Sequence, residues 1–142
     1  MTSKIVFDTS SLVSAALRPK SIPAPALQLT INHHQLSVSV DSLAEIERIL
    51  NQDKFNKYNN LAVRKEFLRR LRRDSSLQAV PEEVSIAVRG SCRDGKDDFI
   101  LALALAERAD AIISSDRDLL SLNPWRGIPI LTPAQFVSQF SV

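Results

Sequence analysis

Five short apolar runs, at residues 4–8, 36–40, 77–80, 111–114 and 128–131, alternate along this chain with segments whose apolar residues recur every three or four positions. Runs of that length read as strands, and the periodicity between them reads as helix. Strands separated by helix-length segments pair in parallel through helical crossovers rather than as hairpins. The pattern predicts an α/β fold, a doubly wound α/β/α sandwich with a mostly parallel central sheet of about five strands. The expected helices span 12–17, 26–32, 43–50, 61–73, 97–108 and 133–140. Thr9-Ser10-Ser11 and Asp41-Ser42 offer side-chain oxygens to cap the first and third of these.

With 142 residues, 44% of them hydrophobic, the chain has material for one ordinary core, and residues 1–142 are expected to form a single domain. Its one cysteine, Cys92, has no internal partner for a disulfide, and the N-terminus lacks the basic flank and apolar run of a secretion signal. These features point to a reducing, cytoplasmic setting. The longest apolar stretches, 99–106 among them, fall short of the roughly 20 residues a membrane span needs, so no membrane association is expected. His33 and His34 are adjacent and far from Cys92, which is no zinc spacing. Three glycines, Gly90, Gly95 and Gly127, make no phosphate-binding loop.

Carboxylates stand where these strands end or helices begin. Asp8 closes the first apolar run and Asp116 follows the fourth. In the helix at 43–50 the residues Leu43, Ile46, Ile49 and Leu50 form one apolar arc with Glu45 and Glu47 at its two edges, so periodicity does not choose between the glutamates. Asp97 and Asp98 open a helix with no polar side, preceded by Asp94. Taken singly, each aspartate has a bland role as a helix cap. Taken together, the strand order brings the ends of the first and fourth strands side by side at a switch point, where open α/β sheets bind ligands. Crowded carboxylates repel, and a cation is their natural counter-charge. An all-oxygen set suits Mg²⁺ or Mn²⁺.

Val6-Phe7-Asp8-Thr9-Ser10, Leu43-Ala44-Glu45-Ile46, Arg93-Asp94-Gly95-Lys96-Asp97-Asp98 and Ser114-Ser115-Asp116-Arg117-Asp118-Leu119-Leu120 occur in the order of a PIN domain. Over nearly its whole length the chain resembles small bacterial PIN-domain proteins related to the VapC toxins of toxin–antitoxin pairs. The closing Ile130-Leu131-Thr132-Pro133 step is similar to the end of that group. The resemblance implies an endoribonuclease that hydrolyses RNA phosphodiesters with one or two Mg²⁺ or Mn²⁺ ions. By position it implies that Asp8, Asp98 and Asp116 hold metal and that Glu45 acts through water or as a proton acceptor. Asp97 takes the place of Asp98 if the helix start shifts by one residue, and Asp94 and Asp118 match auxiliary acidic positions.

Two positions depart from the family pattern: Ser10 where many members have asparagine, and Gly95-Lys96 where this subgroup often has proline and a further aspartate. Thr9 and Ser10 either orient water and phosphate or serve as helix caps. Arg93, Lys96 and Arg117 are the candidates for substrate contact. The basic segment carrying Arg64, Lys65, Arg69, Arg70, Arg72 and Arg73 is either a phosphate-binding surface or a solvated helix face. The resemblance further implies an RNA substrate, a cognate antitoxin and a homodimer. The altered Gly95-Lys96 loop motivates a second reading, a catalytically silent module that binds RNA or a protein. A phosphoacceptor receiver fold shares the sheet but needs an acidic pair that the end of the first strand lacks.

Overall fold

The computed structural model describes residues 2–93 and 95–141, with Lys96 described in its backbone only. In chain order the elements are β1 (Lys4–Phe7), α1 (Thr9–Leu17), α2 (Pro23–His33), β2 (Gln35–Ser39), α3 (Val40–Leu50), α4 (Leu61–Asp74), β3 (Ser75–Gln78), α5 (Glu82–Val88), α6 (Asp98–Glu107), β4 (Ala111–Ile113), α7 (Arg117–Leu120), β5 (Ile130–Leu131) and α8 (Pro133–Phe140). Short 3₁₀ turns at Asp53–Lys57 and Gly95–Asp97 precede α4 and α6.

All strand pairs are parallel, in the order β3-β2-β1-β4-β5. The chain moves outward from β1 to β3, then returns to lay β4 on the other side of β1. That reversal is the switch point, and Phe7 lies opposite Ile113 there. Both central strands are buried on both faces, which is why they read as continuous apolar runs rather than alternating ones. Ile5, Phe7, Ala111 and Ile113 face a core shared with α1, α2, α3, α4 and α8. Val6 and Ile112 face the opposite core, built with α6, Val88 of α5 and Trp125.

The helix α6 is buried along Ile100–Ala104, as its lack of a polar side requires. It ends where Arg108 adopts a left-handed conformation (φ 51°). Because α6 is part of a crossover between parallel strands, it runs antiparallel to them and starts at the edge where β1 and β4 end.

Several elements depart from expectation: α1, α2 and α3 each begin three residues early, at Thr9, Pro23 and Val40. β3 begins at Ser75, two residues early. As an edge strand with Leu77 exposed, it never needed the apolar pattern that marks buried strands. The β5 strand is only Ile130–Leu131, because Ile128 pairs back with Trp125 across a tight turn. The helix α5 was not expected. It follows Pro81 and opens with Glu82 and Glu83, proper start signals, but it buries only Val88 and so shows little periodicity. His34, in the loop between α2 and β2, is half-buried edge-on against Phe136 and Phe140, and its Nδ1 accepts from the Ser3 amide.

The basic helix α4 resolves into two parts. Arg64, expected on a phosphate-binding or solvated face, is fully buried. Its guanidinium donates to the carbonyls of Leu50, Asn59 and Gln52 and to the Asn56 side chain. It thereby closes the C-terminal end of α3 and ties the 51–60 loop down, a favourable place for a cation at the negative end of a helix dipole. The outer arginines pair with carboxylates instead: Arg69 and Arg70 with Glu66, Arg72 with Glu47, Arg73 with Asp74.

Replacing Arg64 by Met leaves the buried Leu50 carbonyl and the part-buried Gln52 and Asn59 carbonyls without their donor, each worth about 1–3 kcal/mol where buried. Urea unfolding is expected to show a loss of at least about 3 kcal/mol, and a change under about 0.5 kcal/mol contradicts the clamp. The Arg69 hydrogen bond, helped by Arg70, holds the Glu66 carboxyl down to about 2 from its ordinary 4.5. A depressed carboxyl stabilises the fold above the unfolded value and loses that contribution as pH falls through the folded one. Acid titration of stability is therefore expected to show a small loss between pH 4.5 and about 2 that Glu66→Gln removes.

Candidate metal centre

At the switch point one hydroxyl holds two carboxylate-bearing turns together. The Asp8 amide donates to Ile113 O at 3.0 Å, continuing the β1–β4 ladder one step beyond the strands. Asp8, only 3% exposed, is itself the N-cap of α1: its Oδ1 accepts from the Ser11 amide at 2.8 Å. The cap is therefore Asp8 rather than the Thr9-Ser10-Ser11 hydroxyls. Its Oδ2 accepts from Ser114 Oγ at 2.5 Å, and the same Oγ accepts from the Asp116 amide at 2.9 Å. Asp116 in turn caps α7, its Oδ1 taking the Asp118 amide at 2.8 Å. Ser114 is fully buried and was not singled out from the sequence. Its signal was a hydroxyl at the end of a buried strand, two residues before an aspartate.

The other expected residues are placed as follows. Asp98 opens α6, and its two oxygens accept from the amides of Gly90 (2.8 Å) and Cys92 (3.0 Å), fastening the 89–93 loop to the helix start. Asp97 occupies the N-cap position without a side-chain capping bond, so the helix begins one residue later, at Asp98. Glu47 is engaged with Arg72, whereas Glu45 is half exposed with Arg48 only loosely placed at 3.8 Å. The two glutamates thus differ in their ion-pair partners. Third in its own right, α3 is capped by Ser39 Oγ, which takes the Ser42 amide, rather than by Asp41-Ser42. Thr9 lies beside Asp8 with its Oγ1 buried and unbonded, and Ser10 is exposed. Arg93 and Arg117 are exposed, and Asp118 is half-buried in the first turn of α7. Asp94 and the side chain of Lys96 lie outside the described residues.

A buried carboxylate is normally paired with a cation or a metal. Asp8 is buried with no ion pair to a basic side chain among the described residues, and the unbonded Thr9 oxygen lies next to it in sequence. These are hard oxygen donors of the kind Mg²⁺ and Mn²⁺ prefer. Among the described residues, no three His, Cys, Asp or Glu side chains converge closely enough to form a ready-made metal cluster. The fit therefore rests on the Asp8–Asp116 pair and its donor chemistry rather than on a complete coordination shell.

A family profile described as PIN domain matches residues 4–118. The chain belongs to the PIN domain family, as the order of its acidic segments suggested. Its fold is similar to those of several solved structures, among them the following three. PAE2754 from Pyrobaculum aerophilum is 16% identical with TM-score 0.65, covering 99% of this chain and 91% of the other. VapBC2 from Rickettsia felis, bound to a DNA fragment from its promoter, is 16% identical with TM-score 0.63, over 90% and 96% of the two chains. FitAcB from Neisseria gonorrhoeae is 15% identical with TM-score 0.61, over 92% and 98%. Among curated proteins, none matches the sequence at a significant level.

Replacing Ser114 by Ala removes the hydroxyl on which both Asp8 Oδ2 and the Asp116 amide depend. Chemical denaturation is expected to report a loss of about 1–3 kcal/mol. Unchanged stability would show that the bridge holds nothing.

Proposed function

We propose that this protein is a Mg²⁺- or Mn²⁺-dependent endoribonuclease, a single PIN domain acting as the toxin of a cytoplasmic toxin–antitoxin pair. The observation that supports it most is the Asp8–Ser114–Asp116 arrangement at the switch point of a PIN-family sheet. Asp8 and Asp116 are assigned as the metal-holding pair, with Asp98 across the same edge. When bound, the ion supplies charge neutralisation on the scissile phosphate and lowers the pKa of a bound water.

The chain's own residues do the rest. Water oxygen attacks phosphorus, the bond to the departing ribose oxygen breaks with that oxygen taking a proton from solvent, and the proton lost by the attacking water needs an acceptor. Glu45, half exposed and only loosely tied to Arg48, is assigned that proton. Thr9 Oγ1 and Ser10 stand next to Asp8 to orient water or a phosphate oxygen. Arg93 and Arg117, both exposed, are assigned to the phosphates.

The antitoxin has a surface to use. A groove of about 1010 Å³ lies between α1, α2 and α4, with Ala24, Leu27, Ile31, Phe67 and Leu71 on its apolar sides and Lys20, Arg70 and Asp74 at its margins. An amphipathic segment of the partner fits that combination.

Asp98 favours a second reading. Both its oxygens already serve backbone amides, and both Asp8 oxygens likewise serve the Ser11 amide and Ser114 Oγ, as in purely structural caps, and that suits a silent RNA- or protein-binding module. The two readings separate in one assay. Cleavage of single-stranded RNA is expected to need Mg²⁺ or Mn²⁺ and to fall by on the order of a hundredfold or more in Asp8→Asn and Asp116→Asn. No cleavage by the wild type, or equal cleavage by the variants, leaves the silent module.

A further inference from the structure

A second groove, of about 320 Å³, begins at Thr9 and Ser10 beside Asp8 and runs along the face of α1 that carries Val13 and Leu17. Ile49 of α3 contributes to its wall, and Arg18 and Tyr58 close its far end. With a rise of about 1.5 Å per residue, α1 separates the two ends by about 13 Å.

The far end is cationic and aromatic. Arg18 Nη2 donates to the Tyr58 hydroxyl at 3.2 Å, and its guanidinium lies 5.2 Å from the centre of the tyrosine ring. The Lys57 ammonium is 5.4 Å from the same ring, and that of Lys54 is 5.2 Å from Phe55. Tyr58 is 40% exposed. The hydrogen bond from Arg18 and the charge of Lys57 lower the pKa of its hydroxyl, a sign of positive potential. Among the described residues, none of Arg18, Lys54 and Lys57 has a carboxylate within 4.0 Å. The contrast with α4 is direct, since Arg69, Arg70, Arg72 and Arg73 are each matched by Glu66, Glu47 or Asp74. Unmatched cations around an exposed ring, at the end of a groove that starts beside the acidic edge, complement a single strand of nucleic acid, whose phosphates need cations and whose bases stack on aromatics. They also answer a problem of the acidic edge, which repels the backbone it must receive.

We propose that this groove is the flanking-strand subsite of the enzyme: a single-stranded RNA segment lies along α1, one base stacks on Tyr58, and a phosphate rests on Arg18 and Lys57. The identity of the strand rests on the ribonuclease reading above, and the groove's own chemistry selects a polyanion over an apolar peptide. Arg18 and Tyr58 are binding residues here, remote from the reacting atoms.

The test is fluorescence anisotropy of a labelled ten-nucleotide oligouridylate with the full chain in EDTA, where binding is read without cleavage. Tyr58→Ala is expected to weaken binding roughly tenfold or more, while Tyr58→Trp, which keeps a stacking surface, binds within about twofold of wild type. Arg18→Gln is expected to weaken binding and to flatten the slope of log affinity against log salt by about 0.7, the value of one phosphate contact on a single strand. Should Tyr58→Ala unfold, as a thermal melt would reveal, the Arg18→Gln slope decides alone. Wild-type affinity in both folded variants, or no binding of the oligonucleotide by the wild type, overturns the assignment, the latter in favour of a protein occupant. The two readings fail separately. Weakened binding in the variants with no metal-dependent cleavage by the wild type removes the nuclease and keeps the subsite. Unchanged binding beside active cleavage does the reverse.

Discussion

The Ser114 hydroxyl, shared between Asp8 and the Asp116 amide, is the interaction on which the rest of the site depends. It works because the sheet delivers its parts in fixed register. Phe7 opposite Ile113 sets Asp8 and Ser114 side by side, and the amides of Asp8 and Ser114 bond to Ile113 and Leu131 on neighbouring strands. The same two aspartates cap helices α1 and α7: the Asp8 carboxylate is held by the Ser11 amide and by Ser114 Oγ, and the Asp116 carboxylate by the Asp118 amide. Rigid positioning of this kind is what a metal site asks of a scaffold.

Charge elsewhere in the molecule is sorted by the same logic. The arginine-rich helix looks in sequence like a nucleic-acid surface, but its outer arginines are spent on Glu66, Glu47 and Asp74, and its innermost one, Arg64, is a buried clamp on the end of α3. Among the described residues, the cations without a carboxylate partner include Arg18 and Lys57, which gather around Tyr58 at the end of α1. Local density of basic residues and the pairing state of each cation therefore point to different surfaces.

The sheet and its switch point were legible because buried parallel strands must be apolar throughout, and β1 and β4 are. The edge strand β3 carries no such obligation, and its start was misplaced by two residues. In the site, Asp8 and Asp116 were legible as carboxylates at strand ends. Ser114 was not, since a serine's partners are set by register across strands rather than by its own neighbours in sequence. The different surroundings of Glu45 and Glu47 come from Arg72 on another helix, and the burial of Arg64 from the carbonyls of a loop that the chain folds over it. Long-range pairing decided each of these, and one-dimensional periodicity has no access to it.

The central claim is that the paired aspartates of the switch point take up a divalent ion. Isothermal titration of Mn²⁺ into the wild type, Asp8→Asn and Asp116→Asn, with all three shown to be folded, addresses it most directly. The account predicts a saturable binding heat in the wild type that both substitutions abolish. Absence of any saturable heat at millimolar Mn²⁺ in the wild type, or heat that survives in both variants, would contradict it.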